Sequence, residues 1–550
     1  MIKKLVFSLL SASLLSLSLL STATAAEQAT IFQTFREPKN IGFAGGMSGS
    51  SHYTWVLTIM DELAERGHKI IFFSKEDNLR LVKQYPKIEG VSIGEPYVFD
   101  KSAMLDDPEL SKDMVKLLPF IIDVFSKYLK PDYLTMVDMI KIHNIDLILC
   151  DHFFDPCVFA AVKANIPFIV TSTADLTRDS SAPYINNDFA SMKYPTTETQ
   201  TVWDRFINKF YKPLEVFMLI KPQIMSMRAQ KKALGIDISS DPTTAWRDAI
   251  KLTNNVFGLM AARPIGPLVE MVGPIIPKTY TILEGELKDF MDKHKRVAYI
   301  AFGHNATPSK QEILLILTSL METIESGDLD GFIWATVNAG ALFPSQVTTS
   351  SNVTYNVLDM FENKNPDARL VKWSPQTAIL FHPSSVLFIS HGGFNSWCES
   401  LYAGVPMAMV PFYGDQNGNA MLNEKAKVGG ILDTSKTAGE TTEFLKGILR
   451  DQDGEIQQGV KRFQSLAQIH SGHGILRGAD VVEEVAFVNV NGKLPHRYPV
   501  SRDMNFFKAH NIDIYGLLVT IVLGSLATLY YTLKIGFNFF LRKSAKQKRD

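Results

Sequence analysis

Val386 to Ile389 is an apolar run that ends at His391, Gly392 and Gly393 and passes directly into a helical pattern. A buried strand that turns straight into a helix leaves the first helical N–H groups unpaired and the positive helix end at one point. That arrangement binds a phosphate or diphosphate. A glycine pair before a helix also makes an ordinary tight turn, so its weight depends on the residues around it. In the other half of the chain, His52 follows Gly49, Ser50 and Ser51 at the start of an amphipathic stretch. An imidazole that is neutral near pH 7 can accept a proton from a hydroxyl, although local context alone reads His52 as a helix cap or a solvated side chain. Asp151 directly follows an apolar strand, Ile145 to Cys150, in the string ILCDHFFDP, with His152 and Asp155 as nearby competitors for the role of its carboxylate. Asp-x-Asp strings at Asp328 to Asp330 and Asp451 to Asp453 lie in polar stretches and read as solvated rather than metal-binding.

The elements that must position these groups follow one rhythm. Asn40 to Ala44 is a short apolar run, and Trp55, Val56, Ile59, Met60 and Leu63 then share one face of a helical pattern that Gly67 stops. Lys69 to Ser74 is a second buried strand, completing a βαβ unit. The pattern returns at Ile145 to Leu149 and Ile166 to Val170. Pro264, Pro267, Pro274 and Pro277 then mark a linker. A second series has strands at Val297–Phe302, Phe332–Thr336, Val386–Ile389 and Met407–Val410. The expected fold is therefore α/β, two doubly wound Rossmann-like domains facing a cleft, with ligands at the carboxyl ends of the strands.

The stretch from Trp373 to Gln416, about 44 residues, resembles the donor-binding signature of the UDP-glycosyltransferases along its whole length. The resemblance runs from about Gly45 to the tail and implies a GT-B type architecture. By that resemblance Trp373 stacks on uracil, Gln376 lies against the nucleoside and Glu399 takes the ribose hydroxyls. His391, Gly393, Asn395 and Ser396 meet the diphosphate, and Asp415 with Gln416 binds hydroxyls of the transferred sugar. Asn419 also matches, although it could equally cap the next helix. The resemblance makes His52 the general base and Asp151 its orienting carboxylate. His68 matches at Arg-Gly-His but opens a strand and reads as structural. One departure is Phe302-Gly303-His304, where relatives carry Phe-Gly-Ser; His304 there is either an added phosphate donor or a structural substitution.

The implied reaction is a single inverting displacement. A hexose, glucose or glucuronic acid, passes from a UDP-sugar co-substrate to the hydroxyl of a small lipophilic acceptor, with no metal and no other cofactor. A non-catalytic membrane subunit that keeps the donor fold is the alternative. A glycosidase would need a flanking carboxylate pair, and none stands out.

Composition supplies the setting. With 56 Lys+Arg against 57 Asp+Glu, nothing points to nucleic acid as a partner. Residues 1–25 read as a signal peptide, with Lys3 and Lys4, an apolar run and Ala23-Thr24-Ala25. The expected divisions are an acceptor and base domain over 26–272, a linker over 273–292 and a donor domain over 293–490. A juxtamembrane segment over 491–513, a transmembrane helix over 514–533 and a basic cytosolic tail over 534–550 complete the chain. That layout, with a dilysine-like Lys546 and Lys548, predicts a single-pass type I protein of the endoplasmic reticulum membrane. Self-association as a homo-oligomer is left open. Cys150, Cys157 and Cys398 are too few and too odd in number for a disulfide framework and are expected to pack as small hydrophobes. Asn305 and Asn352 begin N-glycosylation patterns. The region 175–247, rich in aromatics and methionines, reads as acceptor lining, bilayer contact or ordinary core.

Overall fold

The computed structural model describes residues 34–99, 113–173, 178–186, 194–236, 245–304, 306–337 and 339–547. The expected signal peptide, Asn305 and the last tail residues, with Lys548, lie outside them. From Lys39 onward the chain forms one compact unit built on two parallel sheets.

The first sheet starts with β1 (Asn40–Gly45), followed by α1 (Thr54–Glu65), β2 (Lys69–Ser74) and β3 (Ile88–Ser92). α2 (Met114–Ile142), β4 (Leu147–Asp151), α3 (Asp155–Ala164) and β5 (Phe168–Ser172) come next. A helical excursion, α4 (Val202–Phe206) and α5 (Lys212–Ala233) joined by a π turn at Ile207–Tyr211, precedes β6 (Ile250–Thr253) and β7 (Val269–Met271). The strand order is β3-β2-β1-β4-β5-β6-β7, every pair parallel. Trp55, Val56, Ile59, Met60 and Leu63 of α1 are all buried in the core beneath β1 and β2, as their helical spacing requires.

The second sheet uses the same plan. α6 (Gly285–Lys293) leads into β8 (Val297–Ala301), α7 (Lys310–Glu325) and β9 (Gly331–Ala335). A small antiparallel pair, β10 (Gln346–Thr348) and β11 (Thr354–Asn356), carries Asn352 exposed in its turn. β12 (Ala368–Val371), α8 (Gln376–Leu380), β13 (Ser385–Ser390), α9 (Phe394–Ala403), β14 (Met407–Met409), α10 (Gln416–Lys425) and β15 (Gly429–Ile431) complete it, in the order β12-β9-β8-β13-β14-β15.

The stretch expected as a linker over 273–292 is not irregular throughout. It ends in α6, whose Phe290 and Met291 are buried in the second core. Ile275 belongs to the first core and Ile276 to the second, so the chain changes sides between adjacent residues. α11 (Ala438–Arg450) then leads to α12 (Glu455–Val488), which returns. Val460 and Phe463 pack in the second core, while Ile475, Ala479, Val482 and Val485 pack in the first. The last turns of the span expected as donor domain thus belong to the other core. Close approach needs glycine there, because a Cβ on Gly474 would lie 1.8 Å from the Val272 carbonyl oxygen. Charge fastens the crossing too. Arg66 donates to Asp480 and to the buried Glu483 at 2.7 Å each, and His68 Nε2 lies 3.2 Å from Glu483. His68 is therefore structural.

α13 (Ile512–Gln547) ends the described chain, and its stretch Ile512–Arg542 is long and apolar enough to cross a membrane. It is longer than the span expected over 514–533 and continues into the stretch expected as tail. Between Ile514 and Leu541 Lys534 is the only charge, with Ile535, Phe537, Phe539, Phe540 and Leu541 after it, and no Pro stops the helix.

The cysteines correct the sequence expectation. Cys150 at the end of β4 and Cys157 in the first turns of α3 form a disulfide, with Cα atoms 5.7 Å apart, and Cys398 alone is a buried free thiol. A strand that turns directly into a helix brings positions seven apart side by side, which a count of cysteines does not show. Of the Asp-x-Asp carboxylates Asp453 is exposed, as expected, whereas the other three are engaged within the protein. Asp328 takes two bonds from Arg450, Asp330 accepts from the Lys295 and Arg296 amides, and Asp451 accepts from the Ile456 and Gln457 amides.

Candidate active site

Each sheet reverses its strand order once near its middle, between β1 and β4 in the first and between β8 and β13 in the second. Loops leaving adjacent strands there diverge to opposite faces and open a crevice. His52 and Asp151 lie at the first of these points and His304 and His391 at the second, while Trp373 follows β12 and Asp415 follows β14.

At the first, His52 sits in the turn between β1 and α1, and Asp151 is the last residue of β4 rather than the residue after it. His52 Nδ1 and Asp151 Oδ2 are 2.8 Å apart, with side-chain exposures of 19% and 1%. Burial by itself lowers the His52 pKa, but the Asp151 carboxylate, and Asp415 from the second half, outweigh it and hold it above the usual histidine value. Burial raises that of Asp151, yet His52 and His152 together pull it well below the carboxylate range. Asp151 is therefore the charged partner that fixes Nδ1–H and leaves Nε2 able to accept a proton. His152 stacks on His52 with ring centres 5.3 Å apart, and its Nδ1 lies 3.2 Å from the Thr171 carbonyl. Asp155 instead faces Lys231 at 4.0 Å, so neither competitor displaces Asp151.

His52, Asp151 and His152 could together hold a metal ion, their ligand atoms lying within 4.8 Å of one another. Two of those atoms are already committed. Asp151 Oδ2 pairs with His52, and His152 Nδ1 faces a carbonyl oxygen, which only an N–H can satisfy.

At the second point, β13 ends at Ser390 and His391 follows, with Gly392 at φ +80° and Gly393 capping α9. The His391 ring occupies space that side chains would fill, since a Cβ on Gly393 would lie 2.5 Å from His391 Nε2 and one on Gly303 3.2 Å from Cε1. Burial lowers the His391 pKa to about 4, so the ring is neutral and offers an N–H dipole rather than a cation. His304 follows Gly303 after β8 and lines a small cavity with Thr307, Thr336 and Val337. Val337 holds φ +47°, a costly conformation for a β-branched residue.

Asn395 and Ser396 occupy the first turn of α9. Asn395 Nδ2 donates to the carbonyl of Ser51 at 3.0 Å, which places the N-terminus of α9 one residue from His52. The sequence assigned Asn395 to the donor only and gave no sign of this bridge. Ser396 Oγ accepts from Gln376 Nε2 at 3.2 Å, and the same amide donates to Glu399 Oε2 at 2.5 Å. Thr377, which sequence reasoning missed, donates to the other Glu399 oxygen at 3.3 Å. Burial raises the Glu399 pKa, with those bonds opposing it. Trp373, in the loop after β12, leaves 63% of its surface exposed, an unusual amount for an indole and enough to present a ring face.

Asp415 precedes α10 and accepts from Asn419 Nδ2 at 2.9 Å, while burial raises its pKa. Asn419 also donates to the Gly392 carbonyl at 2.9 Å, tying Asp415 to the glycine turn. Gln416 folds back so that its Oε1 accepts from the Phe412 and Tyr413 amides. The arrangement joins a proton acceptor, a helix N-terminus suited to a diphosphate and polar groups suited to a nucleoside and a sugar.

Comparison with known proteins agrees. The family model described as UDP-glucoronosyl and UDP-glucosyl transferase matches residues 134–547. A UDP-glycosyltransferase of Talaromyces amestolkiae is 31% identical over 67% of this chain and 72% of its own length. Human UDP-glucuronosyltransferase 1A6 is 24% identical over 91% of this chain and 92% of its own. Among solved structures, a UDP-glucosyltransferase from Polygonum tinctorium superposes with a TM-score of 0.56 at 16% identity, covering 82% of this chain and all of that one. Such a structural likeness shows the GT-B fold alone, but with the family match over most of the sequence it leaves one assignment: the chain belongs to the UDP-glycosyltransferase family.

Proposed function

We propose that this enzyme transfers glucose or glucuronic acid from its UDP-sugar to a hydroxyl of a small lipophilic acceptor with inversion at the anomeric carbon. His52 Nε2 takes the acceptor proton as the oxygen attacks, Asp151 stabilises the imidazolium that forms, and the bond to UDP breaks on the opposite face. The charge on departing UDP falls on the amides at the start of α9 and on neutral His391, without a metal. Trp373 faces the uracil, Gln376 the nucleoside and Glu399 the ribose diol, while Ser396 and Asn395 lie beside the phosphates and Asp415 and Gln416 beside the sugar. The observation that carries this reading is the 2.8 Å His52–Asp151 pair set one residue from the start of α9.

The protein is anchored by α13 in the endoplasmic reticulum membrane with its catalytic domains in the lumen, a reading supported by the apolar length of that helix and the basic residues after it. The Cys150–Cys157 disulfide is compatible with such an oxidising compartment. The test uses detergent-purified protein with a panel of radiolabelled UDP-sugars. His52→Ala should lower transfer by a factor on the order of 10² to 10⁴ while UDP binding persists, and a chelator should leave the wild-type rate unchanged. Undiminished transfer by His52→Ala would remove the base assignment, and loss of turnover with chelator would remove the metal-free mechanism.

A further inference from the structure

The loop that delivers His52, Gly46 to Ser51, is built of glycine, serine and one methionine, and its Gly49 holds φ +122°. Such a segment has few side chains able to fix it and loses much conformational freedom when ordered. A reacting group nevertheless has to be held within about 0.5 Å of its productive position. The loop must therefore be fixed from outside. On one flank Asp151, at the end of β4, holds the His52 ring. On the other flank lies β2, and the 3-10 helix Glu76–Gln84 that follows it carries Asn78, a residue to which the sequence pointed no role.

Asn78 is wholly buried, with 0% of its surface exposed. Its Nδ2 donates to the Met47 carbonyl at 2.7 Å and to Ser74 Oγ at 3.1 Å, and its Oδ1 accepts from the Gly49 amide at 3.2 Å. Ser74 Oγ donates in turn to the Gly45 carbonyl at 2.8 Å, and the buried Tyr53 hydroxyl donates to the same Met47 carbonyl at 2.6 Å. A side-chain amide suits this task because it offers donors and an acceptor from one rigid plane. Buried bonds of this kind have no water to replace them, so removing the amide leaves the Met47 and Gly49 groups short of a partner. The next grip comes from the second half of the chain, where Asn395 at the start of α9 takes the Ser51 carbonyl. Along the loop, Asn78 thus holds positions 47 and 49, Asn395 holds 51 and Asp151 holds His52.

We infer that Asn78 is a positioning residue for the transfer reaction, fixing the backbone that sets His52 against Asp151. The inference rests on the reading of His52 as the base.

The full chain is purified in detergent as wild type, Asn78→Ala, His52→Ala and the double variant. Radiolabelled UDP-glucose or UDP-glucuronic acid is varied against a fixed level of 1-naphthol, a small lipophilic hydroxyl compound. Turnover is expressed per UDP-binding site counted by calorimetric titration, so that unfolded chains do not enter the rate. Asn78→Ala should lower kcat roughly 10- to 100-fold, the usual consequence of displacing a reacting group by about 1 Å, while KM for the UDP-sugar holds. In the His52→Ala background it should lower kcat no further, because the group it positions is gone. Asn78→Asp keeps the shape and the bond from Gly49, but its carboxylate cannot donate to Met47, and it should share the loss. Unchanged turnover per site in both Asn78 variants overturns the inference. So does a loss that multiplies with that of His52→Ala, which a general support of the fold would give, and so does the absence of UDP binding in both Asn78 variants. Undiminished turnover by His52→Ala alone would instead remove the base reading, and no transfer by the wild type would remove the proposed function, each taking the inference with it.

Discussion

His52 has a raised pKa because the Asp151 charge more than compensates for burial, and the proposed proton transfer needs the neutral ring. Activity should therefore fall as pH drops through that raised value. Asp151→Asn removes the charge that favours the imidazolium, so the acid limb of kcat/KM should move to lower pH while the plateau falls by a factor on the order of 10³. A full pH–rate profile of both chains checks this, and an unmoved limb would separate Asp151 from the titration of His52. Trp373 makes a different prediction because it is so exposed. Trp373→Ala should leave the melting temperature within about a degree, since exposed substitutions cost little. UDP affinity should fall roughly 5- to 150-fold, the equivalent of about 1–3 kcal/mol of base stacking, as read by calorimetric titration.

At the level of elements, placement does what residue type cannot. The sequence showed strands ending near Gly45, Asp151, Phe302 and Ser390, but not that β1 lies beside β4 or β8 beside β13. Those neighbours decide which loops share a crevice. The disulfide across the β4–α3 turn closes the loop that holds Asp151, His152 and Phe153, restricting the segment whose carboxylate pairs with His52. α12 shows the same dependence on tertiary contact. Gly474 sits against the Val272 carbonyl, and a methyl there meets rigid backbone. Gly474→Ala should destabilise the protein by roughly 1–3 kcal/mol, the usual cost of overpacking, seen as a lower melting temperature; an unchanged one would mean that α12 can shift away without cost.

For the whole molecule, α12 joins the two halves, and α13 is long and apolar enough to cross a membrane. Burying Glu483 beside Arg66 and His68 makes the crossing depend on charge as well as packing. If α13 spans a bilayer, the full chain should stay in the membrane pellet after alkaline carbonate extraction. A chain with Ile521→Arg and Leu526→Arg should be released, because a charge at the bilayer centre costs about 2.5–3.5 kcal/mol. Release of the wild type would contradict an integral anchor.

The sequence by itself determined the periodic elements, because apolar spacing reports which face of a strand or helix is buried. It also determined the family, because the residues from Trp373 to Gln416 form a contiguous signature. Only the tertiary structure decided that Asp151, rather than His152 or Asp155, pairs with His52, since all three are close in sequence and only the direction of each side chain distinguishes them. The Asn395–Ser51 bridge spans 344 positions, and the Cys150–Cys157 bond depends on a turn. Contacts of both kinds arise from the path of the backbone through space, which no local pattern of residues encodes.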